Sequence, residues 1–215
     1  MANGFASLAG ALALLLVTTT GRGGVPIADS LDQPFAASIG LSESTWAGQA
    51  FSSGSYTALE AVHLNLYGGN NGTFSVQLWD ANGSGGTPGS IVETLASGWA
   101  NPTTPDTDNV VSITGLNVSI TPSTTYYVVV RPDARSTLRW GYTDSESGTG
   151  FPSEFTFTVN SGGAWSSPDL NDPQRMRVEA VPEPSTWAIG FLAGLTLAFA
   201  RRKLTVTNRR TGTQT

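Results

Sequence analysis

Hydrophobic and polar residues alternate through the middle of the chain with a period of two, the mark of strands that bury one face. The clearest stretch is 58–80. Val62, Leu64 and Leu66 alternate with Ala61, His63, Asn65 and Tyr67. After Gly68-Gly69-Asn70-Asn71-Gly72, Phe74, Val76 and Leu78 alternate with Ser75, Gln77 and Trp79. Two such runs around a Gly/Asn loop predict a β-hairpin. A symmetric loop sets Val62, Leu64 and Leu66 opposite Leu78, Val76 and Phe74 on the core face. On the polar face it pairs His63 with Gln77 and sets Trp79 near Ala61. Similar runs predict strands over 46–51, 91–96, 110–114, 117–121, 125–131, 137–142, 155–159 and 174–180. Asp80-Ala81-Asn82-Gly83, Thr87-Pro88-Gly89, Thr121-Pro122-Ser123 and Arg131-Pro132-Asp133 separate them with turn chemistry. Trp140 is in phase with Leu138 and Tyr142 and is expected in the core. About nine or ten short strands without helical periodicity predict an all-β fold, an antiparallel β-sandwich or jelly roll.

Both ends break this pattern. Residues 5–17, FASLAGALALLLV, are 13 uncharged, mostly apolar positions. That length fits the core of a secretory signal helix and is short for a membrane span. Residues 1–28 are therefore read as a signal peptide, cleaved within 18–21 or after Ala28. Near the other end, 185–200 reads STWAIGFLAGLTLAFA. As a helix its 16 residues reach about 24 Å, against about 30 Å of hydrocarbon. Trp187 suits one interface, and Arg201, Arg202 and Lys203 at the other snorkel outward and stop transfer. Residues 186–200 are thus the expected transmembrane helix, with 204–215 a polar basic tail. The positive cluster places 201 onward in the cytoplasm and the domain over 29–180 outside it.

Charge and composition narrow the function. The net charge of −5 conceals a middle, 29–181, with 15 acids against 5 arginines. Such a surface repels nucleic acid, so no nucleic-acid partner is expected. Cysteine is absent, which removes disulfides, thiolate metal sites and cysteine nucleophiles. One histidine, His63, excludes a multi-histidine metal site and leaves a single candidate for any Ser-His-Asp triad. No cofactor and no metal is expected, and no catalytic residue is assigned.

Three features carry candidate chemistry. Asp80-x-Asn82-Gly83 matches the opening of a calcium loop, but the distal ligands do not follow, and a tight turn suffices. Asp133, Asp144, Glu146 and Glu154 could supply the carboxylate pair of a surface glycoside hydrolase. Trp79 is out of phase with the core residues of its run, so it falls on the polar face with Gln77 and His63. An aromatic ring bordered by amides is a surface on which a sugar stacks, which makes an exopolysaccharide-binding module the main alternative function.

The boundary before the second apolar segment is more specific. Val181-Pro182-Glu183-Pro184-Ser185 cannot continue a strand or a helix interior. Pro182-Glu183-Pro184, an apolar helix and a basic cluster, in that order, resemble the PEP-CTERM sorting signal of bacterial surface proteins. The resemblance covers 182–203. It implies recognition of Pro182, Glu183 and Pro184 by an exosortase, a membrane cysteine peptidase, with the helix as a transient membrane segment. The polar tail to Thr215 departs from the family, which usually ends within a few residues of the arginines. A second resemblance covers roughly 31–180. Thr45-Trp46-Ala47-Gly48-Gln49-Ala50-Phe51, Phe74-Ser75-Val76-Gln77-Leu78-Trp79-Asp80, Pro88-Gly89 and Tyr126-Tyr127-Val128-Val129-Val130 are similar to the extracellular choice-of-anchor β-domains, nearest the R type. Together these resemblances imply export, an inner-membrane intermediate, and release to the cell surface or extracellular matrix for a structural or adhesive role.

Overall fold

The structure, a computed structural model, describes residues 23–145, 147–150, 155–158, 160–167 and 171–182. The described residues form twelve strands: Val25–Asp29 (β1), Ala37–Ser42 (β2), Trp46–Ser52 (β3), Ala58–Leu64 (β4), Leu66–Tyr67 (β5), Thr73–Asp80 (β6), Ile91–Ala100 (β7), Val111–Ser119 (β8), Thr125–Pro132 (β9), Thr137–Tyr142 (β10), Phe155–Thr158 (β11) and Met176–Ala180 (β12). All pairings between them are antiparallel. The fold is all-β and sandwich-like. Among the described residues no helix is long and apolar enough to cross a membrane. The expected signal segment 5–17 and transmembrane segment 186–200 lie outside the described residues.

The first layer is built from two short sheets, β1-β12-β4-β8 and β2-β10-β5. They are spliced end to end at one point. Asn65, between β4 and β5, donates its N–H to the Arg175 carbonyl at 3.0 Å and accepts from the Gly141 N–H at 3.0 Å. Arg175 N–H in turn donates to the Gly141 carbonyl at 2.8 Å. The second layer is one sheet, β11-β3-β9-β6-β7. A single core lies between the layers, with Leu59, Val62, Leu64, Leu66, Trp140 and Met176 from the first and Phe51, Phe74, Val76, Leu78, Val128 and Val130 from the second, all fully buried. Strand β9 is buried on both faces: Tyr126, Val128 and Val130 enter this core, while Tyr127 and Val129 join a second cluster on the outer side. That double burial explains its unbroken apolar run.

Several expectations hold. Trp140 is fully buried, and its indole N–H donates to the Arg175 carbonyl at 3.2 Å. The inward phases of 62–66 and 74–78 are as the alternation predicts. The hairpin over 58–80 is not. β4 pairs with β12 and β8, whereas β6 pairs with β7 and β9 in the other layer. Residues 68–72 are an arch between layers. Gly68, Gly69 and Asn70 donate their N–H groups to Thr104, Pro102 and Thr137 instead of to each other's strands. A side chain at Gly69 would meet Asn101 Cβ at 2.7 Å, so this glycine serves close packing of the arch.

The expected strands 110–114 and 117–121 are one strand, β8, interrupted by a bulge. Its register against β4 jumps from Val118↔Leu59 to Thr114↔Ala61, and Gly115 and Asn117 inside the bulge take positive φ. Strands β1 and β2 were not expected. β1 starts within the segment assigned to the signal peptide, and Ala28 is buried in its pairing with Val178.

Replacing Trp140 by alanine removes the largest fully buried side chain and its hydrogen bond. The expected cost is about 3–5 kcal/mol, read as a lower midpoint in urea denaturation followed by circular dichroism. A loss below about 1 kcal/mol would contradict a core centred on this residue.

Candidate functional site

The outer face of the five-stranded layer is the most elaborated surface. Gln77 and Trp79 both point there, as the alternation predicts, and the Trp79 indole N–H donates to Gln77 Oε1 at 3.1 Å. Trp79 is not an open platform, being only 9% exposed. The indole of Trp165 covers it edge to face, with centroids 5.9 Å apart and planes at 75°. Ala50, Tyr127 and Val129 complete the buried patch, with Trp46 packed against it.

His63 does not join Trp79 and Gln77. It lies on the other layer, because β4 and β6 are not hydrogen-bonded neighbours. On that outer face it meets groups from both adjacent strands. Its Nδ1 is 2.8 Å from Ser112 Oγ on β8, and its Nε2 is 3.6 Å from Glu179 Oε1 on β12. Sequence reasoning had no means of finding either partner, since both are distant in the chain. Nearby, Arg177 bridges Asp29 at 2.7 Å and Asp32 at 3.1 Å.

The segment carrying Trp165 is held by its own hydrogen bonds. Thr156 Oγ1 donates to the Ser166 carbonyl at 2.8 Å, and Ser166 N–H donates to the Phe157 carbonyl at 2.8 Å. Ala164 N–H donates to Asn160 Oδ1 at 2.8 Å. At its start the segment presses on Trp46: Gly162 has φ +83°, and a Cβ there would meet the ring at 2.6 Å. Trp46 in turn supports the Arg131 guanidinium, 5.2 Å above its ring.

Between this segment and the 80–90 turn is an open cleft of about 720 Å³. Asn82, Ser84, Thr87, Ser90, Trp165 and Ser167 line it, and none of the described lining residues is charged. Tyr127 anchors the turn from below, its hydroxyl donating to the Gly86 carbonyl at 2.9 Å. Trp165 is the residue that sequence reasoning missed. Its only signal was a lone tryptophan inside a Gly/Ser-rich stretch.

Asp80 holds the 80–90 turn together from behind the cleft. Its Oδ1 accepts from Ser90 N–H at 2.8 Å and Asn82 N–H at 3.2 Å. Desolvation pushes its pKa up, but these backbone N–H groups outweigh it and hold the carboxyl below its ordinary 3.8. The Asp80-x-Asn82-Gly83 pattern therefore makes a turn whose carboxylate is used by the chain itself. Of the carboxylates considered for glycoside hydrolysis, Asp133 accepts from Thr73 Oγ1 at 2.7 Å, while Glu146 and Glu154 lie outside the described residues. Pro182 follows Val181, whose N–H donates to the Ala58 carbonyl at 3.0 Å. Glu183, Pro184, Arg201, Arg202 and Lys203 lie outside the described residues. No family model, curated protein or solved structure matches the chain.

The Asp80 geometry has a signed pH consequence. A depressed folded-state pKa means stabilisation that is present above the unfolded value and lost as pH falls through the folded one. The window is therefore below pH 3.8. The Ser90 amide resonance should titrate in that window, and Asp80→Asn should abolish the titration. A Ser90 amide that is indifferent to acid while other carboxylates titrate would contradict the turn geometry.

Proposed function

We propose that this chain is an exported, non-catalytic β-sandwich or jelly-roll domain. It is displayed at the cell surface or in the extracellular matrix after sorting through its C-terminal PEP-CTERM-like signal by an exosortase-type membrane peptidase. Its working role is structural or adhesive. The signal helix and the transmembrane helix flank the domain, and the second is a transient inner-membrane anchor.

The observation that carries this reading is the position of the chain ends. The last strand, β12, ends at Ala180, and Pro182 follows after one residue. A signature that begins at Pro182, just past the end of the sheet, supports recognition by a membrane peptidase. Val25 pairs with Ala180, so the described chain enters and leaves the first layer at one end. The linker 181–185 spans at most about 17 Å, which keeps that end close to a membrane holding 186–200.

The loops at that end are suited to this position. Residues 53–57, 81–90 and 120–124 contain no charged side chain. The opposite end carries Glu43, Asp106, Asp108, Asp133 and Arg135. With Asp80 engaged in its own turn, that end meets less repulsion at an anionic bilayer than the opposite end would.

A hydrolytic role has less support. Ser112, His63 and Glu179 face outward from adjacent strands that pair with one another at these residues. That arrangement offers no pair of free donors for an oxyanion.

The test is the intact mass and location of a C-terminally tagged chain in its native host, with and without Pro182-Glu183-Pro184 replaced by alanines. Loss of the tag from the wild type and retention in the variant is the expected result. Retention of the tag in both, in the membrane fraction, would remove the peptidase from the account. The same material tests the N-terminus. Cleavage after Ala28 would cut through β1, so the mature chain should begin upstream of Val25. A mature N-terminus at Asp29 would contradict the role of β1.

A further inference from the structure

The cleft beside Trp165 owes nothing to the sorting signal and calls for its own explanation. From it we infer a binding site for a neutral polysaccharide, with the Trp165 indole as the stacking platform and the 80–90 turn as the polar wall.

The first argument is the aromatic pair. In an edge-to-face contact one ring offers its edge and the other one face. Whichever role Trp165 takes against Trp79, at least one of its faces is not consumed by that contact. Trp165 is itself only half-buried and lines the cleft. Trp79 is held from behind by Gln77, so the platform rests on a fixed support. A pyranose ring stacks its C–H face on such an indole, combining apolar contact with hydroxyl groups left free at the rim.

The second argument is the wall. Asn82, Ser84, Thr87, Ser90 and Ser167 supply an amide and hydroxyls, the groups that exchange hydrogen bonds with sugar hydroxyls. Gly83, Gly85 and Gly89 keep the turn low. Gly85, at φ +71°, has no heavy atom within 4 Å of where a Cβ would stand, so this side of the turn is open. Among the described residues no lysine or arginine lines the cleft to pair with a uronate or sulfate, and no carboxylate lines it to bind a cation. The chemistry selects an uncharged chain. The volume lies in the range of ligand clefts, and an open cleft suits a polymer in preference to a small molecule that must be enclosed.

The site differs from the one the alternation suggested. Trp79 and Gln77 form its foundation, and His63 has no part in it. The inference also stands apart from the proposed sorting: a protein that keeps its C-terminal tag can still bind glycan, and a correctly sorted one can fail to.

The test is affinity electrophoresis of the full chain in a non-glycosidic detergent. The gels contain dextran, mixed-linkage β-glucan or galactomannan, with alginate as the anionic control. At least one neutral polymer should retard the wild type, and alginate should not. Trp165→Ala should weaken retardation by roughly tenfold or more, and Trp165→Phe should largely restore it. Because Trp165→Ala also uncovers Trp79, a second variant leaves the aromatic pair intact. Ser84 is exposed on the cleft wall, and Ser84→Trp fills the space without touching the core. It should lose binding with an unchanged circular dichroism spectrum. The inference is overturned if no neutral polymer retards the wild type, if alginate retards it equally, or if Ser84→Trp binds as the wild type does.

Discussion

The first layer depends on how the chain passes Arg175. At this residue β10 and β12 meet end to end against the continuous β4–β5 segment. The Arg175 backbone bonds both neighbours, and its carbonyl also accepts from Trp140. Its side chain, nearly buried, reaches the Leu31 carbonyl at 2.8 Å and Asp108 at 3.0 Å. From the opposite layer, buried Gln49 accepts the Gln174 N–H at 2.7 Å. Removing one partner from such a network leaves buried polar groups unmatched, which costs more than the bond itself contributes. A chain without disulfides has to fix its layers by packing and by polar knots of this kind.

That knot also explains the placement of the last strand. β12 is not an edge added at the end; it sits between β1 and β4. The layer cannot close until residues 174–180 are in place. The same arrangement brings Val25 beside Ala180, so the two ends of the domain emerge together. Residues 181 and 182, which follow β12, are continuous with an interior strand. Pull on that segment is therefore resisted by two ladders of hydrogen bonds.

The sequence revealed the strands better than their neighbours. Period-two alternation located β3, β4, β6, β9 and β10 and gave their inward faces, because burial of one face is a local property. It misjudged 58–80 because a five-residue Gly/Asn loop can either fold a hairpin or arch between layers, and the choice is made by Thr104, Pro102 and Thr137, far away in the chain. β1 escaped notice because Val25-Pro26-Ile27-Ala28-Asp29 is short, contains proline and abuts an apolar leader-like segment. The site was half legible. Trp79 and Gln77 were correctly placed on one outward face. Nothing periodic marked Trp165, and the loop chemistry that carries it onto Trp79 consists of side chain to backbone bonds within 156–166. His63 was misplaced with the hairpin that was meant to carry it.

The two layers divide the work between them. The first holds both chain ends and, on its outer face, the ionic groups Arg177, Asp29, Asp32 and Glu179 together with His63. The second holds the aromatic cluster and the cleft, and its strand β9 is buried on both sides. Strands buried twice are costly to deform, since any shift disturbs two packed faces at once. A cleft built over β9 and β6 therefore rests on strands packed on both faces.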